Sequence, residues 1–352
     1  MHMADALLSP AVGGSLWAVS GGLLAYSAKK VREEADDRKI PLMGVLGAFI
    51  FAAQMINFTI PGTGSSGHLG GGMILSILLG PWAAFLVLAS VLTVQALFFA
   101  DGGLLALGCN IFNLGFFTCF VAYPLVYKRL AGSGLDKKRL ALAATLAAVT
   151  GLQLGALSVV LQTVASGISE LPFKTFVLLM QPIHLAIGLA EGLVTAGVVS
   201  FLLRARPEIL ESAAGRKPIG VSIRGALAGL AAAAVLTGAA LSWFASANPD
   251  GLEWAMLKTS GKEELESSGK VHGLLAALQE KTAFLPDYSF KAPETAAREA
   301  AAPESSPGAS MPPPAWPAVD AGTSLSGLIG GLLVLALAML AGFALKWKKA
   351  AA

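Results

Sequence analysis

The chain carries only four histidines, His2, His68, His184 and His272, and their positions set where coordination chemistry could occur. The amine of Met1, the amide nitrogen of His2 and its imidazole Nδ1 are three nitrogens in sequence. They close two small chelate rings in one plane once a metal displaces the amide proton. A fourth nitrogen completes a square, and planar nitrogen coordination suits Ni(II) or Cu(II). His68 is the candidate for that fourth donor. It follows Ile60-Pro61-Gly62-Thr63-Gly64-Ser65-Ser66-Gly67 and precedes Leu69-Gly70-Gly71-Gly72, a run whose glycines permit close backbone approach over a bound ion. Those glycines do not make a nucleotide loop, because no Lys-Ser or Lys-Thr follows them. No such motif occurs elsewhere, so ATP hydrolysis by this polypeptide is excluded. Met1 is expected to be retained, because a bulky second residue hinders its removal. No Lys or Arg precedes Lys29, which also argues against a cleaved signal peptide.

His184 and Glu191 lie seven residues apart in an apolar stretch, hence on one helix face. They read either as an interhelical hydrogen bond that fixes packing or as a proton relay or passing metal contact. Asn57, Gln95, Asp101, Asn110 and Asn113 sit in or beside apolar blocks and could steady the imidazoles and the loop. His272, among Lys270, Glu280 and Lys281, reads as a solvated residue. No cofactor is indicated.

The elements that position these residues are membrane helices. Hydrophobic residues make up 55% of 352 positions and charged residues 13%, against about 25% charged in soluble domains. The net charge of +3 is too small to point to nucleic acid. Cys109 and Cys119 lie ten residues apart within one apolar block, where they read as packing residues. Apolar blocks of roughly span length, about 20 residues, cover 9–28, 41–58, 70–100, 104–127, 140–166, 173–203, 221–245 and 322–345. Segments 29–39 and 128–139 each hold five Lys or Arg, and 204–217 holds four, whereas 58–70 and 166–171 hold none. By the positive-inside rule the first group is cytoplasmic and the N-terminus lies outside. Passing from outside near His68 to inside near Lys128 takes an odd number of crossings, so 70–127 is split into three. One helix ends before Pro81, one ends near Ala100, and one follows the turn Asp101-Gly102-Gly103. An all-α polytopic protein with seven spans, then two more, is expected. The predicted organisation is a metal-binding membrane part over 1–205, a cytoplasmic linker over 206–219, and a C-terminal part over 220–349. The last holds two spans and a long external segment, within which the Pro/Ala/Ser/Glu-rich stretch 286–320 reads as a flexible linker.

Several motifs resemble the CbiM/NikM family. They are the Met1-His2 start, Asn57-Phe58-x-Ile60-Pro61-Gly62 leading to Ser66-Gly67-His68-Leu69, and Gln95-Ala96-Leu97-Phe98-Phe99-Ala100-Asp101-Gly102-Gly103-Leu104. Ala106-Leu107-Gly108-Cys109-Asn110-Ile111-Phe112-Asn113 and His184-Leu185-x-Ile187-Gly188-Leu189-x-Glu191-Gly192-Leu193-Val194-Thr195 match as well. Pro249-Asp250-Gly251-Leu252-Glu253-Trp254 is similar to the small CbiN/NikN partner subunit with its PDGLE sequence. The resemblance implies the substrate-capture subunit of an energy-coupling-factor transporter for nickel or cobalt. Such a subunit works with a CbiQ/NikQ-like transmembrane coupling protein and CbiO/NikO-like cytoplasmic ATPases. It also implies metal ligands at Met1, His2 and His68, and residence in a prokaryotic cytoplasmic membrane. The opening Met3-Ala4-Asp5-Ala6 departs from the Ile-Pro-Asp-Gly type of start more common in the family, and Gly62-Thr63-Gly64-Ser65 from a simpler Gly-Gly-Thr.

Two other classes fit the same residues. A self-sufficient, proton-coupled transporter would use His184 and Glu191 and need no ATPase. A membrane sensor or scaffold would bind metal without moving it.

Overall fold

In the computed structural model, residues 2–34, 38–132, 136–169, 171–215, 222–262, 265, 269–291 and 316–350 are described. The chain is an all-α polytopic membrane protein with one small hairpin of strands. After a 3-10 turn at Asp5–Leu7 come α1 (Pro10–Glu34) and α2 (Lys39–Gln54). Strands β1 (Phe58–Ile60) and β2 (Ser65–Gly67) pair antiparallel, Phe58 opposite Gly67 and Ile60 opposite Ser65. Helix α3 (Gly72–Leu79) and α4 (Pro81–Phe98) are separated by Gly80, where Pro81 opens α4 at a position that needs no amide hydrogen. Helix α5 (Leu107–Ala131) is wound as a π-helix over Phe112–Tyr127. It is followed by α6 (Lys137–Ser166), started by an Asp136 cap, and α7 (Phe173–Ala205). The C-terminal elements are α8 (Pro207–Gly215), α9 (Arg224–Ala239), α10 (Gly251–Ser260), α11 (Lys270–Thr282) and α12 (Ala321–Ala350).

Five of the described helices are long and apolar enough to cross a bilayer: α4, α5, α6, α7 and α12. Helices α2 and α9 are apolar but shorter. All eight residues of α3 are buried, and at 1.5 Å per residue it rises only about 12 Å, well short of the roughly 30 Å hydrocarbon core. It is an interior helix wedged beside α4 and α5. Its two breaks, at Gly80 before Pro81 and at the Asp101 turn, fall where the sequence places them. Helices α6 and α7 pack along each other, while α9 and α12 both lie on α2. At the α9–α12 crossing a Cβ on Gly327 would stand 2.3 Å from the Gly238 carbonyl oxygen, so this contact requires glycine. Leu178, Leu193 and Phe201 of α7 are exposed, an apolar face suited to lipid.

The segment between α9 and α12, expected to be external, is less solvated than its composition suggests. His272 is buried and its Nε2 lies 2.9 Å from the Leu8 carbonyl oxygen, so it packs on the N-terminal segment instead of standing in water. Pro286–Tyr288 forms a 3-10 turn whose Asp287 amide donates to Phe99 O, so the stretch read as a linker from residue 286 begins as packed structure. The hydrophobic and aromatic residues Leu285 and Tyr288 explain the difference, because they give this stretch something to bury. Residues 292–315, the bulk of the predicted linker, lie outside the described residues, as do 216–219 of the predicted cytoplasmic linker and 220–221 after it. The preceding part of that cytoplasmic linker forms α8.

Candidate metal centre

Three separate pieces of chain meet around His2. The imidazoles of His2 and His68 stack, with ring centroids 4.9 Å apart and planes 14° from parallel. His2 Nδ1 lies 2.8 Å from Asp101 Oδ1, and its Nε2 is buried without a hydrogen-bond partner. His68 Nδ1 is 3.0 Å from Leu69 O. A carbonyl can only accept, so Nδ1 carries the proton and the lone pair of His68 is on Nε2. Burial pushes the His68 imidazole down to about 3, which keeps it neutral and competent as a ligand near neutral pH. Burial alone would raise Asp101, but the His2 imidazole and the Tyr288 hydroxyl beside it bring its carboxyl down to about 2. Met1 lies outside the described residues.

The supporting residues hold backbone. Asn110 Oδ1 accepts from Met3 N at 2.8 Å and its amide donates to Met3 O at 3.2 Å, so one side chain fixes both the N–H and the C=O of the residue after His2. Asp5 Oδ1 accepts from Ala106 N. A Cβ on Gly103 would fall 1.8 Å from that same oxygen, so glycine is needed for the N-terminal segment to lie on this turn. Gln95 donates to Gln54 Oε1, and Gln54 donates to Gly70 O, two residues beyond His68. The carboxylate of Glu191 accepts from Gly70 N at 2.7 Å and Gly71 N at 3.1 Å. Glu191 thus grips the loop from α7 and not another helix, while His184 bonds within its own helix to Met180 O. Asn113 lies deeper, exchanging hydrogen bonds with Gln162 and touching Met3 Sδ. Asn57 lines the cavity, its Oδ1 buried and unpartnered and its backbone carbonyl accepting from Ser246 N. Cys109 and Cys119 are buried free thiols away from the imidazoles.

The two histidines open into a cavity of about 460 Å³, also lined by Asp101, Asp250, Glu253 and Tyr288. Its cover comes from the C-terminal part. Asp250 caps α10 by accepting from Leu252 N and Glu253 N, while Glu253 reaches back to Asp250 N. This tight corner delivers the carbonyls of Asn248 and Pro249 to Ser66, next to the loop histidine. Trp254 Nε1 donates to Thr63 O. Gln279 donates to both Ala96 O and Gly102 O, bridging the two sides of the Asp101 turn. Sequence reasoning quoted Asp250 and Glu253 only as a motif and missed Gln54, Asp5, Gln279 and Tyr288. The PDGLE carboxylates were legible as a helix cap. The Asp5, glutamine and tyrosine contacts depend on tertiary approach and leave no local trace. Among the described residues, no three or more His, Cys, Asp or Glu side chains form a group that could hold a metal ion, so a centre here would draw its other donors from the backbone.

Comparison with known proteins agrees with this geometry. The family model described as the cobalt uptake substrate-specific transmembrane region matches residues 2–209, and the PDGLE domain model matches 224–347. A putative metal transport protein of Haloquadratum walsbyi is 37% identical over 212 residues, covering 60% of this chain and 93% of its own length. A putative fused nickel transport protein NikMN of Archaeoglobus fulgidus is 36% identical over 227 residues, covering 64% of this chain and 74% of its own. The crystal structure of a truncated transition metal transporter superimposes with a TM-score of 0.52 at 31% identity, covering 58% of this chain and 99% of that one. With its matched region spanning more than half of its length, the chain belongs to the CbiM family of cobalt-uptake transmembrane proteins, and carries a PDGLE domain fused behind it.

Proposed function

We propose that the chain is the substrate-capture subunit of an energy-coupling-factor transporter that brings Ni²⁺ or Co²⁺ across a prokaryotic cytoplasmic membrane. In this reading the N-terminus faces outward, and the chain works with a CbiQ/NikQ-like coupling subunit and CbiO/NikO-like ATPases. The carrying observation is the stacking of His2 on His68 beside Asp101, at one cavity. Metal enters that cavity and is taken by the Met1 amine, the His2 amide and imidazole Nδ1, and His68 Nε2. In the structure His2 Nδ1 is turned to Asp101. Chelation takes Nδ1 from Asp101 as the ring turns, and leaves Nε2–H as the donor for the carboxylate. Asp101 then acts as the carboxylate that orients a ligating histidine and raises its basicity. The PDGLE part closes over the loaded site, and movement imposed by the ATPases releases the ion inward.

Glu191 accepts two backbone N–H groups, which favours a holding role over the proton relay of a self-sufficient transporter. The planar nitrogen set favours Ni(II) over Co(II), and copper would bind at least as tightly by the Irving–Williams order, so its exclusion falls to access or supply. The test is metal content and visible absorption of the purified protein beside His2→Ala and a variant with one added N-terminal residue. About one Ni²⁺ per chain with a diamagnetic planar spectrum is expected in wild type, and its loss in both variants. Equal binding by all three removes the N-terminal chelate from consideration.

A further inference from the structure

His68 is shared by two cavities. Beneath the large one lies a small void of about 10 Å³, lined by His68, His184, Asp250, Gly67, Gly70 and Gly251, room for one water-sized occupant. His184 is 1% exposed. Its Nδ1 lies 2.8 Å from Met180 O, and a carbonyl only accepts, so the proton is on Nδ1 and Nε2 carries a lone pair. That Nε2 is buried with no hydrogen-bond partner among the described residues. A buried acceptor left unmatched is destabilising, and its retention here calls for an occupant. The surrounding packing holds the imidazole at the void. A Cβ on Gly251 would stand 3.2 Å from His184 Cε1 and 2.6 Å from Ile183 Cγ2, and one on Gly67 would stand 2.4 Å from Ile187 Cγ1. One face of α7, carrying Ile183, His184, Ile187 and Glu191, therefore lies against both the His68 loop and the PDGLE turn.

We propose that His68 and His184 form a second, transient station for the divalent transition-metal ion, inward of the capture site. The inference rests on the reading of His2 and His68 as capture ligands. Because His68 borders both cavities, an ion can exchange the His2 donors for His184 Nε2 without ever losing the His68 nitrogen. The bonds from the metal to the Met1 amine, the His2 amide and the His2 imidazole break, the amide recovers from solvent in the outer cavity the proton it lost on capture, and a metal–imidazole bond to His184 forms. No oxidation state changes. Two imidazoles bind borderline divalent ions but lack the chelate rings of the outer site, so the station is weaker and releases readily. A displacement of α7 moves His184 against His68 and strains the Glu191 grip together.

The test uses the full chain with His2→Ala and His272→Gln, which leaves His68 and His184 as the only histidines. With Cu²⁺ as the probe, electron spin-echo modulation counts the bound imidazoles. Two are expected, falling to one, with at least tenfold weaker binding, when His184→Gln is added. A count of one before that addition overturns the station, and this reading does not depend on the His184 variant folding. In the assembled transporter, His184→Gln alone should keep the wild-type Ni²⁺ spectrum yet take up metal at least tenfold more slowly; wild-type uptake overturns the proposal. Failure of the station with an intact planar Ni²⁺ spectrum in wild type leaves the capture site standing. Metal retention by the His2→Ala protein at wild-type strength and spectrum instead overturns the capture reading and this inference with it.

Discussion

The two parts of the chain reach the same cavity with different chemistry. Residues 2–209 contribute imidazoles, a carboxylate and amide side chains, each locked by a buried partner such as Asn110 on Met3 or Glu191 on Gly70 and Gly71. The PDGLE part contributes main chain and a few side chains, aimed mostly at backbone. The carbonyls of Asn248 and Pro249 meet Ser66, and the amides of Ser246, Leu285 and Asp287 meet the carbonyls of Asn57, Phe98 and Phe99. Trp254, His272 and Gln279 likewise reach backbone carbonyls of the first part, and Tyr288 alone meets a site carboxylate, that of Asp101. The first part builds a site whose identity is written in particular side chains. The second lies over it through bonds made chiefly to the backbone of the first.

Substitutions can break this contrast or sharpen it. The largest effect should follow Glu191→Leu, which leaves two buried N–H groups unmatched at about 1–3 kcal/mol each. A lower unfolding temperature together with lost metal is expected, read by thermal melts of the purified protein. An unchanged melt would mean that the loop is not held from α7. Asp101→Asn should come next, with metal affinity about 10–100-fold weaker by competition with a chromophoric chelator and little change in melting. If it equals wild type, Asp101 does not orient His2. Trp254→Phe should be smallest. Loss of one hydrogen bond to Thr63, about 0.5–1.5 kcal/mol, should speed metal release severalfold and leave the absorption spectrum untouched. A changed spectrum would bring the cover into the coordination shell and erase the contrast.

Much of the N-terminal part was legible because membrane helices leave long apolar blocks and their breaks fall at Pro81 and Asp101-Gly102-Gly103. His2, His68 and Asp101 were legible as polar residues on one side of a charge-sorted topology, and the structure brings them together. The cover was not. His272 and Tyr288 stand in a polar, poorly periodic segment, and their burial comes from docking onto another part of the chain, which no local pattern records. The shortness of α3 was legible, because Pro81 ends the apolar run early, but whether such a run spans lipid or ends inside the bundle at Gly80 leaves no local mark.

Gln279 ties Ala96 to Gly102 while Tyr288 holds the aspartate between them. Bonds arranged around one turn this way are made and lost together, so the cover lifts as a unit. An arriving ion must then wait for that event, and its rate of capture levels off as metal becomes plentiful instead of rising with every encounter. The chain would thereby run as a turnstile, whose pace in abundance is set by its own hinge and not by the crowd outside.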